Sequence, residues 1–139
     1  MLENYTPPTK LKLSALWTST MFCYVYGDFF SLYVPKKIER IMQGQSGVGN
    51  TTPLALLSFA LLMTIPSVMI PLSLVLKPTL NRWLNIIMGC IFTGIMALIF
   101  FSTIGNEWMM FYSYFAAVEV VLTLTIMRLA WKWSNTIQE

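Results

Sequence analysis

Four long apolar runs, separated by short polar connections, organise the whole chain. They are Leu13–Val34, Pro53–Leu76, Leu80–Ile104 and Trp108–Trp131. Each is near or above the ~20 residues that an α-helix needs to cross the hydrocarbon core of a bilayer. Because the backbone there must satisfy its own hydrogen bonds, runs of this length predict helices, and the alternating pattern of a membrane barrel is missing. The sequence therefore predicts an all-α integral membrane protein, an antiparallel four-helix transmembrane bundle that forms one domain over residues 1–139.

The connections predict how these helices begin and how they are joined. Links of about 3–4 residues after the second and third runs make consecutive helices antiparallel neighbours. The segment Pro35–Met42 has apolar residues at helical spacing with charges on the other face, which predicts a short interfacial helix after the first span. Thr51 or Thr52, Thr79 and Asn106 stand where the N-caps of the following helices are expected.

Composition and charge agree with a membrane class. Hydrophobic residues make up 56% of the chain and charged residues only 11%, against about 25% charged residues in a soluble domain. With the N-terminus inside, six of the nine basic residues fall in cytoplasmic segments, so the positive-inside rule places both termini in the cytoplasm. The basic residues sit at the ends of the runs and form no clustered face, which argues against a nucleic-acid partner.

The absence of histidine excludes several kinds of chemistry. Without it the chain has no His-ligated haem, no His-based zinc site and no histidine general base. The two cysteines, Cys23 and Cys90, have no C-x-x-C spacing and are expected to behave as small hydrophobes. We therefore expect no cofactor and no metal.

Two carboxylates, Asp28 and Glu119, stand inside apolar runs. A charged Asp at the bilayer centre costs ~2.5–3.5 kcal/mol on insertion scales, so such residues usually face the bundle interior and matter for function. Both belong to stripes of small and polar residues at helical spacing. These stripes are Ser14, Trp17, Met21, Tyr24, Asp28 and Ser31 on the first helix; Asn81, Asn85, Gly89, Thr93 and Ala97 on the third; and Tyr112, Ala116, Glu119, Thr123, Ile126 and Ala130 on the fourth.

These stripes predict a ligand-binding or proton-linked site. We expect Asp28 and Glu119 to share one cavity, with Tyr24 and Tyr112 as hydrogen-bond partners and Asn85 in its lining. No basic residue lies at matching depth, so desolvation should keep one carboxyl, Glu119 in particular, protonated at neutral pH. An alternative stays open, in which neutral carboxyls serve only to hold neighbouring helices together by hydrogen bonds.

Three residues at the inner ends of the helices are candidates for lipid contact. Asn81 and Arg82 could join Arg128 in holding phosphate head groups. The alternative is ordinary snorkelling of long basic side chains toward the interface.

The segments KLSALW…YGDFFSLY, NRWLNIIMG and VEV…AWKW carry a resemblance that covers nearly the whole chain. The chain resembles an uncharacterised family of small bacterial four-span membrane proteins and, faintly, DoxX-like four-helix membrane proteins. The resemblance implies a location in the bacterial inner membrane. It carries no catalytic residues across.

Three functions follow from these patterns. The first is binding or transport of a small cationic or lipophilic solute at the carboxylate pocket, with a homo-oligomer needed because four helices make a thin wall. The second is an accessory or structural subunit that packs on a membrane partner protein. The third is a membrane enzyme acting on lipid, with the two carboxyls as acid and base, and it is least favoured because no nucleophile–base pair or metal set is visible. Membrane lipids are expected partners in each case.

Overall fold

A computed structural model describes residues 6–46 and 49–133. In that part of the chain, five α-helices account for most residues, and they are α1 Thr9–Ser31, α2 Lys37–Met42, α3 Pro53–Val75, α4 Pro78–Thr103 and α5 Met110–Lys132. A 3₁₀ turn, Glu107–Met109, leads into α5. Two short antiparallel strands, β1 Gln45–Ser46 and β2 Gly49–Asn50, precede α3, with Gln45 opposite Asn50.

Side-chain caps explain where two of these elements begin. The Thr52 hydroxyl accepts a hydrogen bond from the backbone of Ala55, and the Asn106 side chain accepts one from Trp108, so both predicted caps are confirmed. The predicted cap at Thr79 is wrong, because α4 begins at Pro78 with Lys77 before it. Proline suits the first helical position, where its missing N–H would have no partner.

Three helical segments are long and apolar enough to cross a membrane, namely α3, α4 and Glu107–Lys132. The all-α class and the presence of candidate membrane spans are therefore confirmed. Helix α1 has the same length as α3, 23 residues. It is more polar, however, and is not among the three segments. The first predicted span therefore has its helix, α1, but lacks the apolar character of the other three.

The helices pack unevenly around the core. Helix α4 packs along α5, and α1 packs against both α5 and α3, whereas α3 and α4 make few contacts despite their short link. The centre of the core is an edge-on contact between the rings of Trp17 and Phe92, with centroids 6.1 Å apart. Helix α3 buries only Pro66, Met69 and Ser73, so most of its apolar surface is exposed on the single chain.

Small and hydroxyl-bearing residues bring α4 and α5 close together. A Cβ atom added at Gly89 would lie only 2.7 Å from Cγ of Met127, which shows how closely the two helices approach. Two hydroxyl pairs bridge the same interface at 2.7 Å each, Thr93–Thr123 and Thr103–Ser113. Contacts of this kind replace the hydrophobic driving force that is missing between helices in lipid.

Candidate functional site

Glu119 lies in the middle of α5 and is only 3% exposed. Its neighbours on the same stripe, Ala116 and Thr123, are buried with it. The Thr123 hydroxyl donates to the backbone carbonyl of Glu119 at 2.9 Å and leaves the carboxyl unbonded. Among the residues that the structure describes, no group donates a hydrogen bond to this carboxyl.

A second buried polar group without a partner faces this region from α1. The ring of Tyr24 packs against Phe92 with centroids 6.1 Å apart. Its hydroxyl is buried and has no hydrogen-bond partner in the described part of the chain, although it lies within electrostatic range of Glu119. Buried polar groups normally have partners, so two such groups on adjacent helices mark this stretch of the α1–α5 interface as unusual.

Asp28 and Tyr112 form a hydrogen bond at the outer end of the same interface. The Tyr112 hydroxyl donates to Oδ1 of Asp28 at 3.1 Å, as expected for this pair. Asp28 itself is exposed, whereas the sequence predicts that it faces the interior. Gly27 takes the buried position instead. A Cβ atom at Gly27 would stand 3.6 Å from the Tyr112 ring, in ordinary van der Waals contact.

The two carboxyls therefore lie at different depths along one helix interface. Glu119 follows Tyr112 by two helical turns, which is ~10 Å along α5. Tyr24 lies one turn deeper than Asp28 on α1, between the two levels. Asp28 and Glu119 remain within electrostatic range of each other. The structure thus arranges an exposed pair and a buried pair in sequence along the α1–α5 interface.

Asn85 belongs to a separate network. The Trp17 indole donates to Oδ1 of Asn85 at 2.7 Å, Nδ2 of Asn85 donates to Oδ1 of Asn81 at 2.6 Å, and Nδ2 of Asn81 donates to the backbone of Ser73 at 2.6 Å. All four residues are fully buried. Trp17 precedes Asp28 by eleven residues, or ~16 Å along α1. Asn85 is therefore far from Asp28, and its side-chain hydrogen bonds go to Trp17, Asn81 and Ser73 rather than to either carboxyl.

The three candidates for head-group contact differ in how much of their surface is accessible. Asn81 is fully buried in the network just described, so its side chain does not reach lipid. The guanidinium of Arg82 lies over the ring of Trp131, 5.8 Å from the centroid, while Arg128 is exposed. Only the two arginines retain surface that a head group could contact.

Comparison with known proteins places this chain in a family. A family model matches residues 3–138, nearly the full length. The chain belongs to the DUF6326 family, a family of unknown function. No curated protein and no solved structure matches it. The predicted membership of an uncharacterised family is confirmed, and the comparisons add nothing to the resemblance to DoxX-like proteins.

Sequence reasoning missed two features of the DUF6326 chain that shape this region. Gly27, rather than Asp28, takes the buried position of α1 beside the Tyr112 ring, and its position between Tyr26 and Asp28 was the available signal. The bond from Trp17 to Asn85 joins residues 68 apart in the chain. Both residues stood on predicted interior stripes, but no local pattern could pair them.

Proposed function

We propose that this DUF6326 protein binds a small cationic or lipophilic solute at the buried carboxyl of Glu119 and moves it across the membrane. The observation that carries the proposal is the position of Glu119, which is 3% exposed and has no hydrogen-bond donor in the described part of the chain, beside the buried hydroxyl of Tyr24, which has no partner there either. An unpaired carboxyl inside a membrane is energetically costly, and residues of this kind usually have a functional role. A bound solute with a cationic or hydrogen-bonding group would satisfy both side chains.

The chemistry of Glu119 suits proton-linked binding. An ionised carboxylate would pair with a cationic group, and each charge would offset the desolvation cost of the other. When the cation leaves, protonation of the carboxyl removes the unpaired charge. Uptake of a proton would thus accompany release of the solute.

Asp28 and Tyr112 would form the entrance. Asp28 is exposed, and it lies within one turn of the last residue of α1. A cation attracted there would meet Tyr24 and then Glu119 as it moved inward along the α1–α5 interface. The hydrogen bond from Tyr112 holds the Asp28 carboxylate at the mouth of this route.

The proposal takes α1 as the fourth membrane-spanning helix of an antiparallel bundle. Its polar residues do not prevent this, because the hydroxyls of Thr18, Ser19 and Thr20 each donate to a backbone carbonyl four residues earlier. Such bonds satisfy hydroxyl groups within the helix itself. A 23-residue helix at ~1.5 Å per residue also has the length to span the hydrocarbon core.

Basic residues support an orientation with both termini in the cytoplasm of a bacterial inner membrane. Lys10, Lys12, Lys77, Arg82, Arg128 and Lys132 would then face the cytoplasm, and Lys36, Lys37 and Arg40 would face outward. This distribution follows the positive-inside rule. Asp28 and Tyr112 would open toward the outer side.

A second candidate function, an accessory subunit on a membrane partner, has one observation in its favour. Helix α3 leaves most of its apolar surface exposed and packs mainly against α1. A partner protein or a second copy of the chain could cover that surface. In the transport reading, a second copy would also thicken the wall of the route.

Ligand-induced stabilisation tests the proposal. The purified protein in a neutral detergent is heated with tetraphenylphosphonium, a lipophilic cation, or with tetraphenylborate, an anion of the same size. We expect the cation alone to raise the Tm, and Glu119→Gln to abolish the rise while keeping the fold. Glu107→Gln removes an exposed carboxylate outside α5 and serves as the matched control, which should respond like the wild type.

Transport is measured separately in proteoliposomes. Vesicles with an acidic lumen should take up tetraethylammonium, a small cation that crosses bilayers slowly by itself, faster with the wild type than with the Glu119→Gln variant. The lumen should become more alkaline in step with uptake, because one proton leaves the site for each cation that binds. Equal binding and uptake by the wild type and Glu119→Gln would overturn the proposal. Loss of a co-purifying membrane protein on disruption of α3, with no solute effect, would favour the accessory role instead.

A further inference from the structure

A cleft at one end of the bundle collects positive charge. It has a volume of about 360 Å³ and lies between the end of α1, helix α2 and the connection into α5. Lys37 and Arg40 line it, together with Ser31, Asn106 and Trp108, and Nε of Arg40 donates a hydrogen bond to the backbone carbonyl of Lys36 at 3.4 Å. None of its lining residues is acidic.

The short helix α2 is held so that its two cations face this cleft. Lys37 and Arg40 are three residues apart, which puts them on one face of the helix. Ile38 and Met42 lie on another face and are exposed. Lys36, which precedes the helix, has φ 61° in the left-handed region. This conformation is unfavourable for most residues other than glycine. Strain of this kind persists where surrounding structure requires it, and here it sets the direction in which α2 leaves α1.

The acidic residues near the cleft are not part of its lining. The Asp28 carboxylate is within electrostatic range of Lys37 but accepts its hydrogen bond from Tyr112. Glu107 lines a different cleft, together with Phe100 and Met110. Glu39 lies between the two cations in the sequence. Around the helix it is about 100° from Arg40 and 160° from Lys37, on a different face of α2. The cleft therefore keeps a net positive character.

We propose that this cleft binds a phosphate oxyanion, supplied by the head group of an anionic phospholipid or by soluble phosphate. A guanidinium offers a planar fork of donors that matches phosphate oxygens, and the lysine adds a mobile point charge. The Asn106 side chain adds polar groups at the far wall. Trp108 is largely exposed beside the cleft, and tryptophan is the residue that favours the head-group level of a membrane. The site is separate from Glu119 and does not depend on the function proposed for that residue.

Thermal stability in a neutral detergent tests the site. The purified protein is titrated with dihexanoyl phosphatidylglycerol, with dihexanoyl phosphatidylcholine, which carries no net charge, and with inorganic phosphate at constant ionic strength. We expect a saturable rise in Tm with the anionic lipid or with phosphate, and the arm that responds at the lower concentration identifies the source. The neutral lipid should give no comparable rise.

Variants assign the effect to the cleft. Lys37→Gln with Arg40→Gln should weaken the apparent affinity at least about tenfold, since two charge-assisted contacts are lost. Lys77→Gln with Lys132→Gln makes the same change in net charge at exposed positions outside the cleft and should keep the wild-type response. Arg40→Lys preserves the charge but loses the planar fork of donors, so its affinity should lie between those of the wild type and the double variant, which guards against a folding defect in the double variant. Glu119→Gln should also keep it. The proposal is overturned if neither anion stabilises the wild type, or if the Lys37 and Arg40 double variant responds as the wild type does.

Discussion

The indole nitrogen of Trp17 on α1 donates a hydrogen bond to the side-chain oxygen of Asn85 on α4 across 2.7 Å. This bond connects two helices whose backbones are not close neighbours. It continues through Asn81 to the backbone of α3 at Ser73, so three helices meet in one buried network. The network fixes the end of the bundle away from Asp28, which leaves the other end free to carry the exposed carboxylate and the basic cleft.

Trp17→Phe should therefore destabilise the fold. The phenyl ring keeps part of the packing on Phe92, but in a fully buried place Oδ1 of Asn85 loses its 2.7 Å bond and keeps only a longer one, 3.5 Å, from the Ser73 hydroxyl. We expect a loss of about 1–3 kcal/mol in the free energy of unfolding, the range for leaving a buried polar group poorly paired. Unfolding in mixed micelles measures it. Trp83→Phe, at an exposed position of α4, is the control, and an equal loss in both variants would contradict this role for Trp17.

Two glycines of α4 should tolerate a larger side chain to very different degrees. A Cβ atom at Gly89 would meet Met127 and the backbone oxygen of Thr123, whereas one at Gly94 would meet nothing within 4 Å. Gly89→Leu should cost about 1–3 kcal/mol through overpacking, and Gly94→Leu should cost little. Both replacements gain the same helix propensity, so the difference in unfolding free energy isolates the contact.

Met127 provides a further check on this interface. Its flexible side chain is what a new methyl group at Gly89 would strike. Gly89→Ala combined with Met127→Ala should therefore lose less stability than the two single losses added together. Strict additivity would mean that the two residues do not touch.

The hydroxyl pair Thr93–Thr123 should show measurable coupling between α4 and α5. Their oxygens are 2.7 Å apart, and hydrogen bonds between membrane helices contribute ~0.6 kcal/mol on average. A double-mutant cycle with Thr93→Val and Thr123→Val should give a coupling of that size. Thr125 is exposed and bonds to its own helix at Val121, so a cycle with Thr125→Val should give none.

Helical geometry explains which interior residues the sequence could predict. On the fourth predicted helix the steps alternate between three and four residues, and Ala116, Glu119, Thr123, Ile126 and Ala130 are all buried. The stripe predicted on the third helix takes steps of four residues throughout. Each such step turns 400°, about 40° beyond a full turn, so after Gly89 the buried face passes to Phe92 and Met96.

The error at Asp28 has a different cause. The stripe predicted on the first helix alternates steps of three and four residues, but it takes the step of four from Tyr24 to Asp28, whereas the buried face steps three residues to Gly27. A glycine gives no hydrophobic or polar signal, so the pattern of polar residues favours Asp28 over Gly27 as the interior position. The true arrangement needed the position of Tyr112 on α5, which local sequence does not contain.

Helix neighbours were the harder part of the fold. A two-residue link fixes only the ends of α3 and α4, and the two helices make few contacts. The side chains that could pack decide the rest. Helix α1 carries Leu13, Trp17 and Tyr24 on its buried face, and it packs against α3 and α5. Connection lengths alone could not reveal this preference.

Chemical labelling separates the two carboxyl positions. In a background with Cys23→Ala and Cys90→Ala, Asp28→Cys should react with a membrane-impermeant maleimide added outside intact spheroplasts, and Glu119→Cys should not. Asp28 is exposed and within electrostatic range of Lys37 on the polar connection, so water should reach it. Glu119 is only 3% exposed, in the middle of α5. Ser113→Cys, buried near the outer end of the same helix, is the matched control and should stay unlabelled, which would separate burial from depth. Labelling of Glu119→Cys as fast as Asp28→Cys would show that position 119 faces open water. The proposal that a buried carboxyl at Glu119 binds a cation would then be wrong.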